Sequence, residues 1–273
     1  MMKRWMQLIL LMTMVALLAA CGKDSAQEAA AGATIAISGS TSVGPLAEKL
    51  AMKYEEQEAV NIEVNQIGSS AGITNATTGV SEIGMSSRDL KEEEKAELEE
   101  VVIAYDGIVV VTHPTNKVDN LTMDQVKQIF TGEVTNWKEL GGDDMEIVVV
   151  SREDGSGSRD AFQEIVGYSS GELIRNAIVA SGNGNIKTTV ATNKHAVGFI
   201  SFEYIDESIA TVDINGVEAT AENVLANEYS LSRPFLFVHR AAELTKAGQS
   251  FIDFILSDEG QEIVESSGAI RVN

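Results

Sequence analysis

The clearest indication of the fold is EIVVVSREDGSGSRDAFQEIVG, residues 146–167. It opens with an almost continuous apolar run, which is typical of a strand in a sheet covered on both faces. A loop of glycines and hydroxyl side chains follows, and residues 158–167 then have the pattern of a helix. The stretch therefore predicts a strand, a loop and a helix in direct succession.

The same succession is predicted three more times toward the N-terminus. The loops after these strands are SGSTS (38–42), GSSAG (68–72) and GMSSR (84–88). Further strands are expected at 101–114, 196–205, 210–216 and 233–240, and a strong amphipathic helix at 247–268. Strands that alternate with helices predict α/β domains with largely parallel sheets.

The four loops together point to a binding site. The carboxyl ends of parallel strands gather at one edge of the sheet, and ligands bind there. Helix N-termini at that edge present free backbone N–H groups and the positive end of the helix dipole, which suit an anion. Any one of these loops is more simply explained as an ordinary helix cap. Four such loops, one of which begins with an arginine, favour a shared anion site.

Arg152 is the arginine in question. It directly follows a valine-rich strand, so its side chain is expected near the edge of the sheet. A planar guanidinium matches the oxygens of a tetrahedral oxyanion. Asp154 lies two residues further on and is expected to orient Arg152. The alternative is an ordinary surface pair of Arg152 with Asp154, which contributes little.

Composition restricts the partners. The chain has 273 residues and a formal net charge of −21, enough length for two modest domains or one large one. The negative charge argues against nucleic acid as a partner and against electrostatic docking to anionic lipids. The sequence contains no HExxH motif, Walker loop or cluster of metal ligands, so neither a metal nor a cofactor is expected.

The N-terminal segment has the pattern of a secretory signal. Basic residues precede an apolar run, and Ala19 and Ala20 stand directly before Cys21, the single cysteine of the chain. This arrangement resembles a bacterial lipobox, in which the cysteine is lipid-modified and becomes the first mature residue. The alternative is a plain signal peptide with a chance cysteine.

The first 33 residues are therefore expected to lie outside the folded part of the protein. Residues 1–20 are predicted as a lipoprotein signal peptide, and the small and polar residues of 21–33 as a flexible tether. The mature protein is expected outside the cytoplasm, held by lipid at a bacterial cell membrane.

The motifs resemble those of the phosphate-binding proteins that serve phosphate ABC importers. The resemblance is carried by SGSTSVGPLAEKLAMKY (38–54), GSSAGI (68–73), IGMSSRDL (83–90), IFTGEVTNWKELGG (129–142) and SREDGSGSRDAF (151–162). It extends from about Thr34 to the C-terminus. It implies a type II periplasmic-binding-protein fold, in which two α/β lobes close on one buried phosphate. The implied partners are inorganic phosphate and the permease and ATPase subunits of the importer.

The resemblance also implies how the chain is divided. The chain should pass between the lobes twice, near Thr112–Pro114 and near Ser232–Pro234. One lobe is expected to contain residues 34–112 and 233–273, and the other residues 113–232.

The residues that the resemblance implies for phosphate binding come from all four loops. They are Ser40, Thr41, Ser42, Ser69, Ser87, Arg152, Ser156, Gly157 and Ser158. Ser87 stands where some members have an aspartate that accepts the proton of hydrogen phosphate and repels sulfate. A hydroxyl can accept or donate, so Ser87 supplies no negative charge that would repel sulfate. Asp106 could replace the missing acceptor, or it could simply form an Asp-Gly turn.

Other functions compete with phosphate delivery. A serine hydrolase would need a general base, and His113, His195 and His239 lack a triad-like context, so no enzymatic activity is predicted. A binding protein for another oxyanion, such as sulfate or molybdate, stays open. So does a surface lipoprotein that senses phosphate for a partner.

Overall fold

The structure, a computed structural model, describes residues 32–273. The predicted signal peptide, Cys21 and the tether up to residue 31 lie outside the described residues. The strands are β1 (Ala33–Gly39), β2 (Val60–Gln66), β3 (Ile83–Ser86), β4 (Glu99–Thr112), β5 (Asn120–Leu121), β6 (Val148–Arg152), β7 (Ile178–Ala180), β8 (Ala196–Ser201), β9 (Ala210–Ile214) and β10 (Ser232–His239). Strand β1 therefore includes Ala33, which was expected to end the tether.

Helices alternate with most of these strands, but the single helix expected at 247–268 is divided into two helices at Ser257. The α-helices are α1 (Gly44–Glu55), α2 (Ser69–Thr78), α3 (Glu92–Lys95), α4 (Met123–Thr131), α5 (Gly157–Val166), α6 (Gly182–Thr192), α7 (Ala221–Leu225), α8 (Lys246–Leu256) and α9 (Asp258–Ser266). Short 3-10 helices span Trp137–Leu140 and Phe202–Tyr204. Within the described range, no helix is both long and apolar enough to cross a membrane.

The first lobe is built on strands β2, β1, β3 and β10 with the first half of β4. Strand β1 pairs in parallel with β2 and β3, whereas β10 runs antiparallel to β3 and β4. Helices α1, α8 and α9 cover this sheet with apolar side chains. Its core includes Ile35, Ile37, Leu46, Leu50, Phe237 and Phe251, all completely buried. Parallel pairing brings the C-terminal ends of β1, β2 and β3 to one edge.

The second lobe is built on β6, β7, β8 and β9 with the second half of β4. Strand β6 runs parallel to β7 and β8, and β4 runs antiparallel to β8 and β9. An aromatic core supports this sheet. The rings of Phe162 and Phe199 stack with their centroids 4.1 Å apart, and Phe130 packs against both.

Strand β4 joins the lobes. Its residues up to Gly107 pair with β10, whereas Ile108 to Thr112 pair with β8. The chain therefore passes between the lobes at Gly107–Ile108. The crossing expected near Thr112–Pro114 is wrong. The reason is that residues 109–111 are completely buried in the second lobe and form part of its sheet.

The chain returns beside this first crossing. The Ile108 N–H donates to the Leu231 carbonyl over 2.8 Å, and Ser232 then pairs with Gly107 in the first lobe. We call residues 106–108 and 231–233 the hinge. The C-terminal segment also lies there, because Tyr105 and Ile270 exchange backbone hydrogen bonds. Ile270 packs into the core of the second lobe, so the last residues contact both lobes.

Candidate oxyanion-binding site

The four loops singled out in the sequence meet between the lobes. Those after β1, β2 and β3 come from the first lobe, and the loop after β6 comes from the second. The backbone of the second and fourth loops is in direct contact, since the Ser70 N–H donates to the Gly155 carbonyl over 3.2 Å. The structure thus brings together the segments that the sequence placed at one site.

Buried serines line this junction. The Ser40 hydroxyl donates to Ser87 Oγ over 2.8 Å, and Ser69 Oγ lies 3.3 Å from Ser87 Oγ. Ser42 Oγ lies 2.8 Å from Ser158 Oγ, which belongs to the other lobe. We call these five residues the serine cluster. All of them are at most 1% exposed, so the cluster is a concentration of hydroxyl groups shielded from water.

Helix α5 begins at the cluster. The Ser156 hydroxyl caps it by accepting a hydrogen bond from the Arg159 N–H over 3.3 Å. Gly157 is the first residue of the helix, and a side chain there would collide with the Ser69 and Ser87 hydroxyls of the first lobe. Glycine therefore lets the helix N-terminus, with its free N–H groups, approach the serines closely.

Arg152 ends strand β6 and is 1% exposed. Its Nη2 donates to Thr41 Oγ1 over 2.9 Å, across the lobe boundary, and its Nη1 donates to Asn183 Oδ1 over 3.3 Å. Its Nε and Nη2 donate to the two carboxylate oxygens of Glu153 over 2.8 and 2.9 Å. The guanidinium is thus fixed on several sides at the edge of the serine cluster.

Glu153 balances the charge of Arg152. Burial acts to raise the pKa of Glu153, but the ion pair with Arg152 and the N–H group of Gly182 outweigh burial and hold the pKa below its ordinary value. Glu153 is therefore ionised at neutral pH, and the pair carries no net charge.

The prediction that Asp154 orients Arg152 is wrong. The Asp154 side chain is 96% exposed and accepts a hydrogen bond from Arg159 Nη1 over 2.5 Å. The chain turns at Gly155, which has a φ of +82°, and the turn leaves Asp154 outside while Glu153 reaches the guanidinium. The alternative surface pair of Arg152 with Asp154 is absent as well, because Arg152 is buried.

Asp106 follows neither interpretation made from the sequence. It lies inside strand β4, so it does not form a turn. Its oxygens accept hydrogen bonds from Arg233, from the Ser201 hydroxyl and from the Phe202 N–H. Both oxygens are thus occupied, and none of these partners belongs to the serine cluster.

Sequence reasoning missed Asn183 as well as Glu153. The Asn183 Nδ2 donates to Ser42 Oγ over 2.9 Å, and its Oδ1 accepts from Arg152, so its amide connects the lobes. A signal was present, since residues 178–185, IVASGNGN, also read as a strand followed by a loop of small residues and a helix start.

The histidines lie apart from the serine cluster. His113 Nδ1 contacts Thr115 Oγ1, and His195 Nδ1 contacts the Glu146 carbonyl. The buried Nδ1 of His239 has no hydrogen-bond partner. In the range 32–273, no three His, Cys, Asp or Glu side chains are grouped so that they could hold a metal ion.

Comparisons with known proteins identify the family. A family model described as a PBP superfamily domain matches residues 24–259. The phosphate-binding protein PstS of Bacillus subtilis is 32% identical, and the match covers 97% of this chain and 94% of that protein. This chain belongs to the phosphate-binding proteins of the PBP superfamily. PstS of Borreliella burgdorferi is 29% identical over 87% of this chain and 90% of its own length.

Solved structures of phosphate-binding proteins agree in fold. A putative phosphate ABC transporter substrate-binding protein from Clostridium perfringens, solved with bound phosphate, is 59% identical with a TM-score of 0.86. The match covers 88% of this chain and all of that one. An ABC-type phosphate transport receptor from Vibrio cholerae is 37% identical with a TM-score of 0.77, over 86% of this chain and 99% of the receptor. The two-lobed periplasmic-binding-protein fold expected from the sequence is confirmed.

Proposed function

We propose that this chain binds inorganic phosphate between its lobes and delivers it to an ABC importer. The observation that carries the proposal is the convergence of hydroxyl groups, a helix N-terminus and the Arg152 guanidinium from both lobes at one buried point. Each of these groups donates hydrogen bonds, and a tetrahedral oxyanion has oxygens that accept them in several directions. The relatives named above are phosphate-binding proteins, which supports the choice of anion.

The proposed ligand residues come from both lobes. They are Ser40, Thr41, Ser42, Ser69, Ser87, Arg152, Ser156, Gly157 and Ser158, as the resemblance implied, with Asn183 as an addition. Asp154 is not among the residues that act on the ligand. Arg152 is the one charged donor of the set, and its charge is balanced by Glu153.

A chain of net charge −21 can hold a dianion because the donors act at contact distance. Repulsion from surface carboxylates is screened beyond about 8 Å in physiological salt. A hydrogen bond to a charged group contributes roughly 1.5–3 kcal/mol, and micromolar affinity needs about 8 kcal/mol. A few well-placed donors are therefore enough, and the proposal needs no large cluster of cations.

The proposal includes the location of the protein. Lipid modification at Cys21 and a short tether would hold the lobes outside the cytoplasm, within reach of the permease and ATPase subunits of the importer. The proposed role is carriage without chemical turnover of the ligand. Mass spectrometry of the membrane-extracted protein tests the anchor, since a lipid-modified N-terminal Cys21 would carry the mass of its acyl chains.

Calorimetric titration of the mature chain with phosphate, sulfate and molybdate tests the binding. We expect phosphate to bind at micromolar concentration or below and to be preferred. Arg152→Lys should weaken binding by about 100-fold, because a point charge replaces a planar fork of donors. Equal displacement of phosphate by sulfate would contradict the ligand assignment and favour a general oxyanion carrier. That second function has one observation in its favour, since Ser87 offers a hydroxyl where a carboxylate would repel sulfate.

A further inference from the structure

A buried ion pair lies at the hinge. Arg233 in β10 faces Asp106 in β4 across the antiparallel ladder, and both side chains are 1% exposed. The Arg233 Nε and Nη2 donate to Asp106 Oδ2 over 3.2 and 2.9 Å. Replacing such a buried pair by apolar residues is often neutral or even stabilising. Stability alone therefore gives no reason for an ion pair at this place.

The pair is connected to the first lobe through Arg233. The remaining terminal nitrogen, Nη1, donates to the Ser87 carbonyl over 3.2 Å. Ser87 lies at the centre of the serine cluster, where its hydroxyl accepts from Ser40 and contacts Ser69. Arg233 thus fixes the backbone of the loop that presents the Ser87 hydroxyl, although none of its hydrogen bonds goes to a hydroxyl of the cluster.

The pair is connected to the second lobe through Asp106. Its Oδ1 accepts from the Ser201 hydroxyl over 2.8 Å and from the Phe202 N–H over 3.2 Å. The Ser201 N–H donates to Asn183 Oδ1 over 3.4 Å, and the same oxygen accepts from Arg152 Nη1. A continuous path of hydrogen bonds therefore leads from Ser87 through the ion pair to Arg152.

We propose that Asp106 and Arg233 are positioning residues for the oxyanion site. The ion pair holds two parts of the site in a fixed relative position across the hinge: the Ser87 loop of the first lobe and the Asn183–Arg152 contact of the second. This inference rests on the proposed function, since the ligand that this arrangement serves is phosphate. Both residues act through others: Arg233 acts through the Ser87 backbone, and Asp106 acts through Ser201 and Asn183.

Phosphate titration of single variants is the first test. Asp106→Asn should weaken phosphate binding by about tenfold or more, and Ser201→Ala, which keeps both partners of the ion pair, by about threefold to tenfold. Tyr229→Phe is the matched control. The Tyr229 hydroxyl is buried beside the hinge and donates to the Ile108 carbonyl over 2.9 Å. Its loss should lower the melting temperature and leave phosphate affinity within about twofold.

A double-mutant cycle separates positioning from general destabilisation. Asp106→Asn is measured in the wild-type chain and in an Asn183→Ala chain. If Asp106 acts through Asn183, the loss of affinity on Asp106→Asn should shrink by at least about threefold in the Asn183→Ala background. If the fold losses of affinity in Asp106→Asn and Asn183→Ala simply multiply in the double variant, Asp106 does not act through Asn183, and the proposed connection to the second lobe is wrong.

Each outcome decides between the two proposals. If the wild-type chain fails to bind phosphate, the proposed function and this inference fall together. A different result would contradict this inference alone. In that result the wild-type chain binds phosphate and Arg152→Lys binds it weakly, but Ser201→Ala and Asp106→Asn keep the affinity of the Tyr229→Phe control. Should Asp106→Asn fail to fold, Ser201→Ala decides, and wild-type affinity in that variant would overturn the inference.

Discussion

Arg152 and Glu153 are neighbours in the chain, and their side chains form an ion pair with two hydrogen bonds, from Nε to Oε2 over 2.8 Å and from Nη2 to Oε1 over 2.9 Å. Glu153 also accepts from the Gly182 N–H at the start of α6. The carboxylate therefore connects the guanidinium at the end of β6 to the start of α6. It leaves Nη1 and part of Nη2 for contacts with Asn183 and Thr41.

Replacing Glu153 by alanine should weaken phosphate binding by about tenfold, because the guanidinium loses two charge-assisted hydrogen bonds that fix its geometry. Asp154→Ala is the matched control one residue away, and we expect it to change affinity less than about twofold. Calorimetric titration of both variants measures the difference. A larger loss in Asp154→Ala than in Glu153→Ala would contradict the role assigned to Glu153.

The fold could be predicted from the sequence because its signals are local. Alternating apolar strands and helices, and loops of serine and glycine after the strands, fixed the α/β class and the segments that meet at the site. The crossing inside β4 had no local signal. The apolar run Ile108–Val111 continues β4 directly after Tyr105, Asp106 and Gly107, so the sequence shows one strand and does not show where that strand exchanges its partners.

The details of the site depended on geometry that sequence spacing does not contain. Spacing alone does not distinguish Glu153 from Asp154 as the partner of Arg152; in the structure Glu153 holds the guanidinium and Asp154 pairs with Arg159. The ion pair of Asp106 and Arg233 joins residues that are far apart in the chain and lie in register only after β4 and β10 have paired. Asn183 could have been predicted from the sequence, because its loop repeats the pattern of strand, small residues and helix start that identified the other four loops.

Gly157→Ala should hinder closure of the lobes. An added methyl group would collide with the Ser69 and Ser87 hydroxyls of the opposite lobe, so the lobes could not reach their observed separation. Phosphate affinity should fall by about tenfold or more, while the melting temperature without phosphate changes little. Titration, thermal unfolding and small-angle scattering with phosphate measure these effects.

Gly184→Ala is the control for this change. Gly184 lies in helix α6, where an added methyl group would have no neighbour within 4 Å, so affinity and compaction should match the wild type. If Gly157→Ala closed around phosphate as the wild type does, the close approach of α5 to the serines would not be needed for binding.

Asp160→Asn should accelerate phosphate release. The Arg88 Nε of the first lobe donates to Asp160 Oδ2 of the second lobe over 3.1 Å, while Glu94 holds the two terminal nitrogens of Arg88. Asp160 is partly exposed, so the contact contributes on the order of 1 kcal/mol, and the dissociation rate should rise roughly threefold to fivefold.

Stopped-flow measurement of phosphate release tests this contact between the lobes. Asp144→Asn serves as its control, because the ion pair of Asp144 with Lys138 lies within the second lobe and should not affect release. The effect of Asp160→Asn should diminish as salt is added, since screening weakens the ion pair in the wild type. Equal release rates for Asp160→Asn and wild type at low salt would show that the contact does not hold the lobes together.

The wild-type protein should lose stability at alkaline pH as Glu203 ionises, and Glu203→Gln should not show this loss. Burial, with a further contribution from the negative charge of Asp106, raises the pKa of Glu203 from 4.5 to about 8, although Lys49 and Arg233 act in the opposite direction. One carboxylate oxygen of Glu203, Oε1, is buried without a hydrogen-bond partner. Ionisation at this place is therefore costly.

The sign of the effect follows from the direction of the shift. The folded protein holds the Glu203 proton more tightly than the unfolded chain does, so this contribution to stability is fully present below about pH 4.5. It is lost as the pH rises through about 8. Glutamine cannot ionise, so the melting temperature of Glu203→Gln relative to wild type should increase between pH 5 and pH 9.

Thermal unfolding at pH 5, 7 and 9, without phosphate, measures the effect of Glu203→Gln. The exposed Glu207, four residues further along, provides the control, and Glu207→Gln should follow the wild-type profile in parallel. Any gain in Glu203→Gln that was equal at all three pH values would reflect packing of the amide and not the removal of a buried charge. A gain confined to the alkaline side would show that the buried Glu203 carboxyl ionises there at a cost to stability, as the raised pKa predicts.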